Sequence, residues 1–400
     1  MIEKNKLTLL LGAGATLDVG GPSTSEITAA INNSKIIFDK HLKQFYLKTF
    51  SNLHEYYGEL FNFEVQIFKL EEILHYFTKR KFDLLKEFKE KSHDKAFLKR
   101  FCRLGIIELE FIGILKSVIE VILGFVYTKT KLFDPYESKN LFLTSFFKKL
   151  SIESILEIGT LNYDYLIEKT MSPDFFEDGF VSDSGIEYFS TKKLFEADKS
   201  RILHLHGAFD YYEPNSKTHL NYDLKRDGLF KREICSEEEI KVTYRSEASI
   251  IGSMRVLSPI ITGFEKIKKV SIAPLNEYFV AFSNQIFNTS RLLIAGYAFN
   301  DDYINDLLDR FTKIHGPSRR IVIVDYFNPK KLKKTILEDV WNQSALKTIK
   351  YLIDDEVNYT EYSDYQKPFI SSDGCVRIYL LGMRDTLINF GDEIIAFLNS

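Results

Sequence analysis

Cysteine is scarce in this chain: three in 400 residues, set far apart at Cys102, Cys235 and Cys375. No two form a CxxC pair, so the sequence offers neither a zinc ribbon nor a disulfide framework, and a reducing, cytoplasmic setting fits. A strong net charge is missing too. The formal value of −3 gives no global pull toward nucleic acid or a membrane surface. Long apolar runs are also lacking. The most apolar segment, Phe111–Val126, carries Lys116 and Glu120 on one helical face, while Ile112, Leu115, Ile119 and Leu123 line another. That pattern predicts a buried amphipathic helix and not a membrane span. Lys4 and Lys6 ahead of Leu7–Leu11 imitate a secretion signal, but the apolar stretch falls short of the roughly 7–15 residues such a signal needs. It reads as a buried strand instead.

What is present describes an ordinary globular protein, 45% hydrophobic and 27% charged, long enough for about two domains. Glycine and proline thin out between residues 35 and 150. There Leu, Ile and Phe recur at helical spacing between Lys and Glu, as in Phe63–Phe77. This stretch is expected to be a helical subdomain inserted into a domain formed by residues 1–34 and 151–400. In that outer part, strands alternate with helices. A strand at Thr8–Leu11 precedes a helix starting at Ser23 or Ser25, with Glu26 in its first turn. A strand ending at Thr160 leads through a loop to a helix over Leu166 and Ile167. Further strands are expected at 201–207, ending in a turn at Gly207, and at 257–263. The segment 291–311 reads as strand, loop and helix, 319–329 as a strand, and Val376–Gly382 as a strand before a last helix, Leu387–Leu398. The expected class is α/β, a Rossmann-like parallel sheet with helices on both faces and the helical insert. Ligands of such sheets bind beyond the carboxyl ends of the strands, where Asn162, Asp164, His206, Tyr297 and Asp325 all fall.

Each of these loops has two readings. Gly12 and Gly14 suit close approach of a phosphate to a helix start, or simply a tight β–α turn, since the third glycine of G-x-G-x-x-G is replaced by Leu17. Asn162 and Asp164 suit a ligand or a helix cap. His204 and His206 have a spacing that metal ligands use, yet His204 reads more simply as a satisfied core histidine. Asn300 and Asp301 are candidate caps after Gly296. Asp325 suits either ribose hydroxyls or the start of the following NPKKLKK segment.

In this order, these pieces resemble the sirtuin family, and more closely its bacterial sirtuin-like NAD-hydrolase branch. The opening GAG-x-S pattern corresponds to Gly12, Ala13, Gly14 and Thr16, followed by Gly20 and Pro22. The T-x-N-x-D-x-L motif corresponds to Thr160, Asn162, Asp164 and Leu166, and the catalytic histidine before glycine to His206–Gly207. A later glycine loop corresponds to Gly296 with Tyr297, and the adenosine-side strand end to Asp325, where sirtuins usually carry asparagine. The chain departs from protein-deacylating sirtuins in lacking two CxxC pairs, so no zinc is expected. It also has Ser23 and Thr24 in place of Asp-Phe after the proline.

The resemblance implies NAD as substrate and water as acceptor. It makes Asn162, His206 and Asp164 the catalytic candidates, with Gly12, Ala13, Gly14, Thr16, Pro22, Thr160, Gly296, Tyr297 and Asp325 on the NAD. Departure of nicotinamide leaves an oxocarbenium-like ribose, so the site must hold the sugar, steady charge and place a water. The branch implies antiphage defence by NAD depletion, restrained through homo-oligomer packing or a partner such as a HerA-type ATPase. Three other readings stay open. One is a metal-dependent hydrolase using His204, His206 and Asp210, and another is a nucleotide sensor without turnover. The third is direct nucleic-acid binding by the basic stretch 79–103, for which no recognised module is present.

Overall fold

The computed structural model describes residues 4–34, 51, 55–56, 61–91, 94–183, 186–212, 228–240, 246–248, 254–256, 258–263, 266, 270, 272–326 and 366–400. In chain order the strands are β1 (Asn5–Leu11), β2 (Ser154–Thr160), β3 (Phe180–Asp183), β4 (Ile186–Phe189), β5 (Arg201–His204), β6 (Tyr211–Tyr212) and β7 (Phe230–Lys231). They continue with β8 (Ser246–Ala248), β9 (Met254–Val256), β10 (Arg291–Ala295), β11 (Arg320–Val324), β12 (Phe369–Ile370) and β13 (Val376–Tyr379). The α-helices are α1 (Thr24–Asn33), α2 (Phe63–Lys91), α3 (Lys95–Thr130) and α4 (Leu141–Glu153), then α5 (Thr191–Phe195), α6 (Leu275–Asn288), α7 (Asp302–His315) and α8 (Gly382–Leu398).

Among the described residues, seven strands form the main sheet in the order β12-β13-β11-β10-β1-β2-β5. Every pairing is parallel except β12 with β13. Strands buried along their length, such as Leu7–Leu11 and Ile321–Val324, suit this, because both faces are covered. Side chains alternate along each strand. Leu10, Leu292, Ile294 and Ile323 enter the core shared with α6 and α7. Leu9, Leu11, Leu293, Ala295 and Val324 enter the core shared with α4 and α8. Each fully buried Leu or Ile contributes roughly 1.5–3 kcal/mol, so the central strands dominate the stability of this layer. At the β2–β5 edge, Arg201 grips Glu157 with two hydrogen bonds of 2.7 and 3.0 Å, both groups being buried.

From β1 the chain first builds outward through β2 and β5, then returns to the opposite side through β10, β11 and β13. The strand order therefore reverses between β1 and β10, and the loops after these strands part at a crevice above the sheet. A third core joins α1, α2 and α3 through Ile27, Ile31, Leu70, Leu74, Leu115 and Val118. Lys116 and Glu120 stand 3.8 Å apart on the outward side of α3, with Leu115, Ile119 and Leu123 buried beneath. Among the described residues no helix is long and apolar enough to cross a membrane.

Two expected elements are absent. No helix runs over Leu166 and Ile167; after β2 the chain makes an irregular loop and one short 3-10 turn, Glu168–Thr170. Part of the cause is local: the Asp164 carboxylate turns forward to accept the Leu166 N–H at 3.0 Å, a side-chain bond that competes with helical pairing. Of 257–263, the described residues form only an isolated antiparallel bridge, Ile260 to Gly207. The final helix begins at Gly382, five residues before Leu387. The NPKKLKK segment, 328–334, lies outside the described residues, as does the end of the strand expected at 319–329.

Candidate active site

The cleft at the carboxyl edge of β1, β2, β5 and β10 gathers residues from distant parts of the chain. Gly12, Ala13, Pro22, Thr24, Asn162, Asp164, His206, Gly296, Tyr297 and Asp301 line it, together with Asn62, Glu64 and Lys266. Asn162 and His206 thus face the same space. Thr160 lies just beneath, its hydroxyl accepting the Asn162 N–H at 3.1 Å. Thr16 sits behind the opening loop and accepts from the Asn162 side-chain amide at 3.2 Å. This bond engages one amide N–H and leaves the carbonyl Oδ1 for other partners.

His206 is placed by the turn that follows β5. Gly207 has φ +81°, and a Cβ there would meet the Pro259 carbonyl oxygen at 2.1 Å, so only glycine admits this approach. The His206 carbonyl accepts from Ile261 N–H at 2.9 Å. Its ring Nε2 lies 3.2 Å from Asp301 Oδ2. Behind them Lys266 Nζ stands 3.9 Å from Asp301 and 3.0 Å from Glu64, at the start of α2. Burial and the Lys266 ammonium hold the His206 pKa below its ordinary value, against the pull of Asp301. His206 is therefore a neutral base at neutral pH. Asp301 is itself held low, because its bonds to His206 and the Lys266 charge outweigh burial. For Asp164 burial wins: the Leu166 N–H and the charges of His204 and Lys169 offset it only in part, and its carboxyl is pushed up to about 6.

Asp301 does a second job. It caps α7, with Oδ1 accepting the Ile304 N–H at 3.3 Å. The loop before it is held by Tyr297, whose hydroxyl accepts from Asp301 N–H at 3.2 Å and faces Asn305 Oδ1 at 3.0 Å. Phe299 adopts a positive φ of 54° within this loop, a strained conformation that costs about 1–3 kcal/mol and persists only where its surroundings enforce it. The capping role of Asp301 was legible in the sequence, but its contact with His206 was not. Neither Lys266 nor Glu64 carries any local signal.

The opening glycines behave differently from a simple phosphate cradle. Gly12 N–H donates to Ala295 O at 2.9 Å and Gly14 N–H to Gly296 O at 3.0 Å. A Cβ on Gly14 would meet Gly296 Cα at 2.6 Å, and one on Gly296 would meet Ala15 N at 2.1 Å. The close approach these glycines permit is thus to the Gly296 backbone. Around the other side of this ridge lies a second cleft, lined by Gly14, Asp18, Gly296, Asp325, Tyr326, Gly382 and Arg384. Gly296 borders both clefts. Burial raises the Asp325 carboxyl, which accepts the Tyr326 N–H at 2.8 Å.

His204 and His206 turn to different carboxylates. His204 Nε2 meets Glu168 at 2.5 Å, whereas His206 meets Asp301, and Asp210 accepts from the Tyr165 hydroxyl. No group of three or more His, Cys, Asp and Glu suited to a metal ion occurs among the described residues.

Residues 156–349 match the family model of a SIR2-like domain. The match supports a sirtuin-like family. The SIR2-like span contains Asn162, Asp164, His206, Asp301 and Asp325, and the Gly12–Gly14 loop packs onto it from outside. No curated protein matches the chain. A solved structure described as "Structural Basis for the Mechanism and Regulation of Sir2 Enzymes" is similar over 88% of this chain and 93% of its own, with 11% identity and a TM-score of 0.34.

Proposed function

We propose that this protein is an NAD glycohydrolase that cleaves the nicotinamide–ribose bond to give nicotinamide and ADP-ribose. The observation that carries the reading is the meeting of the Asn162 amide and the His206 imidazole in one cleft, with Asp301 behind the imidazole. The SIR2-like match over the same residues supports it.

The chemistry asks little of a general acid, because nicotinamide leaves from a ring nitrogen that already bears positive charge. What remains is to hold the ribose, stabilise an oxocarbenium-like centre and supply water. Asn162 serves the first and third tasks through its Oδ1 and its second N–H. His206, with Nε2–H donated to Asp301, keeps a lone pair on Nδ1 that accepts a proton from a ribose hydroxyl or from water. Asp164, largely ionised at pH 7, accepts from the carboxamide and offsets the developing charge. The second cleft takes the adenosine half, with Asp325 toward ribose hydroxyls, and Gly296 joins the two halves of the dinucleotide.

The same resemblance extends the proposal to a cytoplasmic role in antiphage defence through NAD depletion. Restraint would come from homo-oligomer packing through the insert expected at 35–150, or from a HerA-type ATPase partner. One assay tests the enzymatic core: incubation with NAD releases nicotinamide, and Asn162→Ala and His206→Ala each reduce the rate at least 100-fold while remaining folded. Wild-type cleavage by either variant removes the assignment. A purified monomer that is fully active alone removes the restraint.

A further inference from the structure

His204 lies at the end of β5 and has no part in the chemistry above. Its ring is fully buried, yet both of its nitrogens face oxygen. Nδ1 is 3.3 Å from the Asn162 main-chain carbonyl, and Nε2 is 2.5 Å from Glu168 Oε1. A carbonyl oxygen only accepts, so Nδ1 carries a proton. The short Nε2–Glu168 contact then holds a further proton between imidazole and carboxylate, as a charge-assisted pair.

We infer that His204 is a positioning residue for Asn162, a protonated clamp that ties the Asn162 carbonyl to Glu168 and so fixes the loop carrying the Asn162 amide into the cleft. This builds on the proposed NAD chemistry, but the clamp itself is defined by geometry alone. It answers a need created by the missing helix. Between β2 and the turn at Glu168 no helical ladder holds the chain, and among the described residues no main-chain N–H reaches the Asn162 carbonyl. Asn162 is instead fixed at three points: its N–H by Thr160, its side chain by Thr16 and its carbonyl by His204.

The surroundings decide the protonation state. Besides Glu168, the groups facing the ring are Asp164 on the same loop, Asp178 before β3, Asp210 beyond β5, Lys231 on β7, and the rings of Tyr165 and Tyr211. Burial works against the imidazolium and Lys231 opposes it, but Glu168, helped by Asp210, outweighs both and holds the His204 pKa above its ordinary value. The clamp is therefore closed below that raised pKa and opens as pH rises through it. His206 is shifted the other way, so the two histidines titrate on opposite sides of the ordinary value.

The test uses the full chain carrying 15N-histidine and 13C-carbonyl asparagine. The His204 nitrogens and the Asn162 carbonyl should shift along one titration curve, its midpoint above that of free histidine. Glu168→Gln should move both midpoints to lower pH together. Over the same range, kcat for nicotinamide release should fall with that midpoint on the alkaline side, and the limb should follow the Glu168→Gln shift. His204→Asn keeps a donor near the position of Nδ1 without titrating, and should remove the limb while retaining most of the activity. His204→Phe should lower kcat about 10- to 100-fold at every pH with little change in KM. Independent midpoints for the two residues overturn the clamp. A shared midpoint with no matching limb in kcat overturns its role in catalysis. If the wild-type protein releases no nicotinamide, the catalytic reading fails on its own, and the paired titration still decides the clamp.

Discussion

Asp301→Asn separates the two jobs of one carboxylate. Oδ1 caps α7 and Oδ2 meets His206, in a place where both side chains are only 5% exposed. Asparagine caps helices about as well as aspartate, so its oxygen retains the Ile304 bond and the fold keeps its stability to within about 0.5 kcal/mol. The amide nitrogen then replaces Oδ2, and it only donates. His206 Nε2 must give up its proton and accept, which moves the proton to Nδ1, the nitrogen required as base. A hydrogen bond to a charged group contributes roughly 1.5–3 kcal/mol, and 1.36 kcal/mol is a factor of ten in rate, so kcat should fall about 10- to 150-fold. Trapping a buried histidine in the wrong tautomer costs up to about 10⁴-fold in a serine-protease triad, which bounds the effect from above. The assay is nicotinamide release at saturating NAD between pH 5.5 and 8.5, beside thermal denaturation. Asp301→Ala should lose a similar amount of activity and, in addition, about 1 kcal/mol of stability with the cap. Wild-type kcat in Asp301→Asn, with Asp301→Ala destabilised as expected, would show that Asp301 is a cap and nothing more.

Other outcomes follow from the same geometry. Asp164→Asn should stabilise the protein while impairing turnover: moving a carboxyl from 3.8 to about 6 costs about 3 kcal/mol at neutral pH, and asparagine can still accept from Leu166. Because a raised carboxyl pKa penalises the fold only where the group must ionise, the gain in melting temperature should be full above pH 6 and gone by about pH 4. NAD turnover should fall on the acid side as Asp164 and His206 protonate. His206 also contributes stability above its ordinary pKa that is lost as pH falls through its lowered one, visible as a softer melt on the acid side in wild type than in His206→Gln. Gly296→Ala should cost several kcal/mol or prevent folding, whereas Gly20→Ala, at φ +99° with open space around it, should cost about 1 kcal/mol.

The sheet was legible because its strands are short apolar runs closed by turn residues, a pattern that burial on both faces imposes directly. Leu9–Leu11 and Leu292–Ala295 illustrate this. Local chemistry also showed through. Ser23 and Glu26 form a reciprocal cap at the start of α1, with Ser23 Oγ accepting Glu26 N–H at 3.1 Å and Glu26 accepting Ser23 N–H at 2.9 Å. The loop after Thr160 reads as a helix because Tyr-Asp-Tyr-Leu-Ile-Glu has apolar residues at helical spacing. Tertiary anchors override that spacing: Tyr163 reaches the Ile261 carbonyl and Tyr165 reaches Asp210. The electrostatic setting of His206 was hidden for a different reason. Asp301 lies 95 residues away, and Glu64 comes from a segment that reads as a separate helical unit. Pairing of that kind is a property of topology, which no local pattern in the chain encodes.

The meshing of Gly12 and Gly14 with Gly296 bears on how this protein tolerates change. What each of these residues would strike on gaining a methyl group is main chain: a carbonyl, an amide nitrogen or an α-carbon. A clash between side chains can be relieved by trimming the opposing residue. Here the opposing residue is already the smallest available, so a search for second-site suppressors of Gly14→Ala among its immediate neighbours should come back empty.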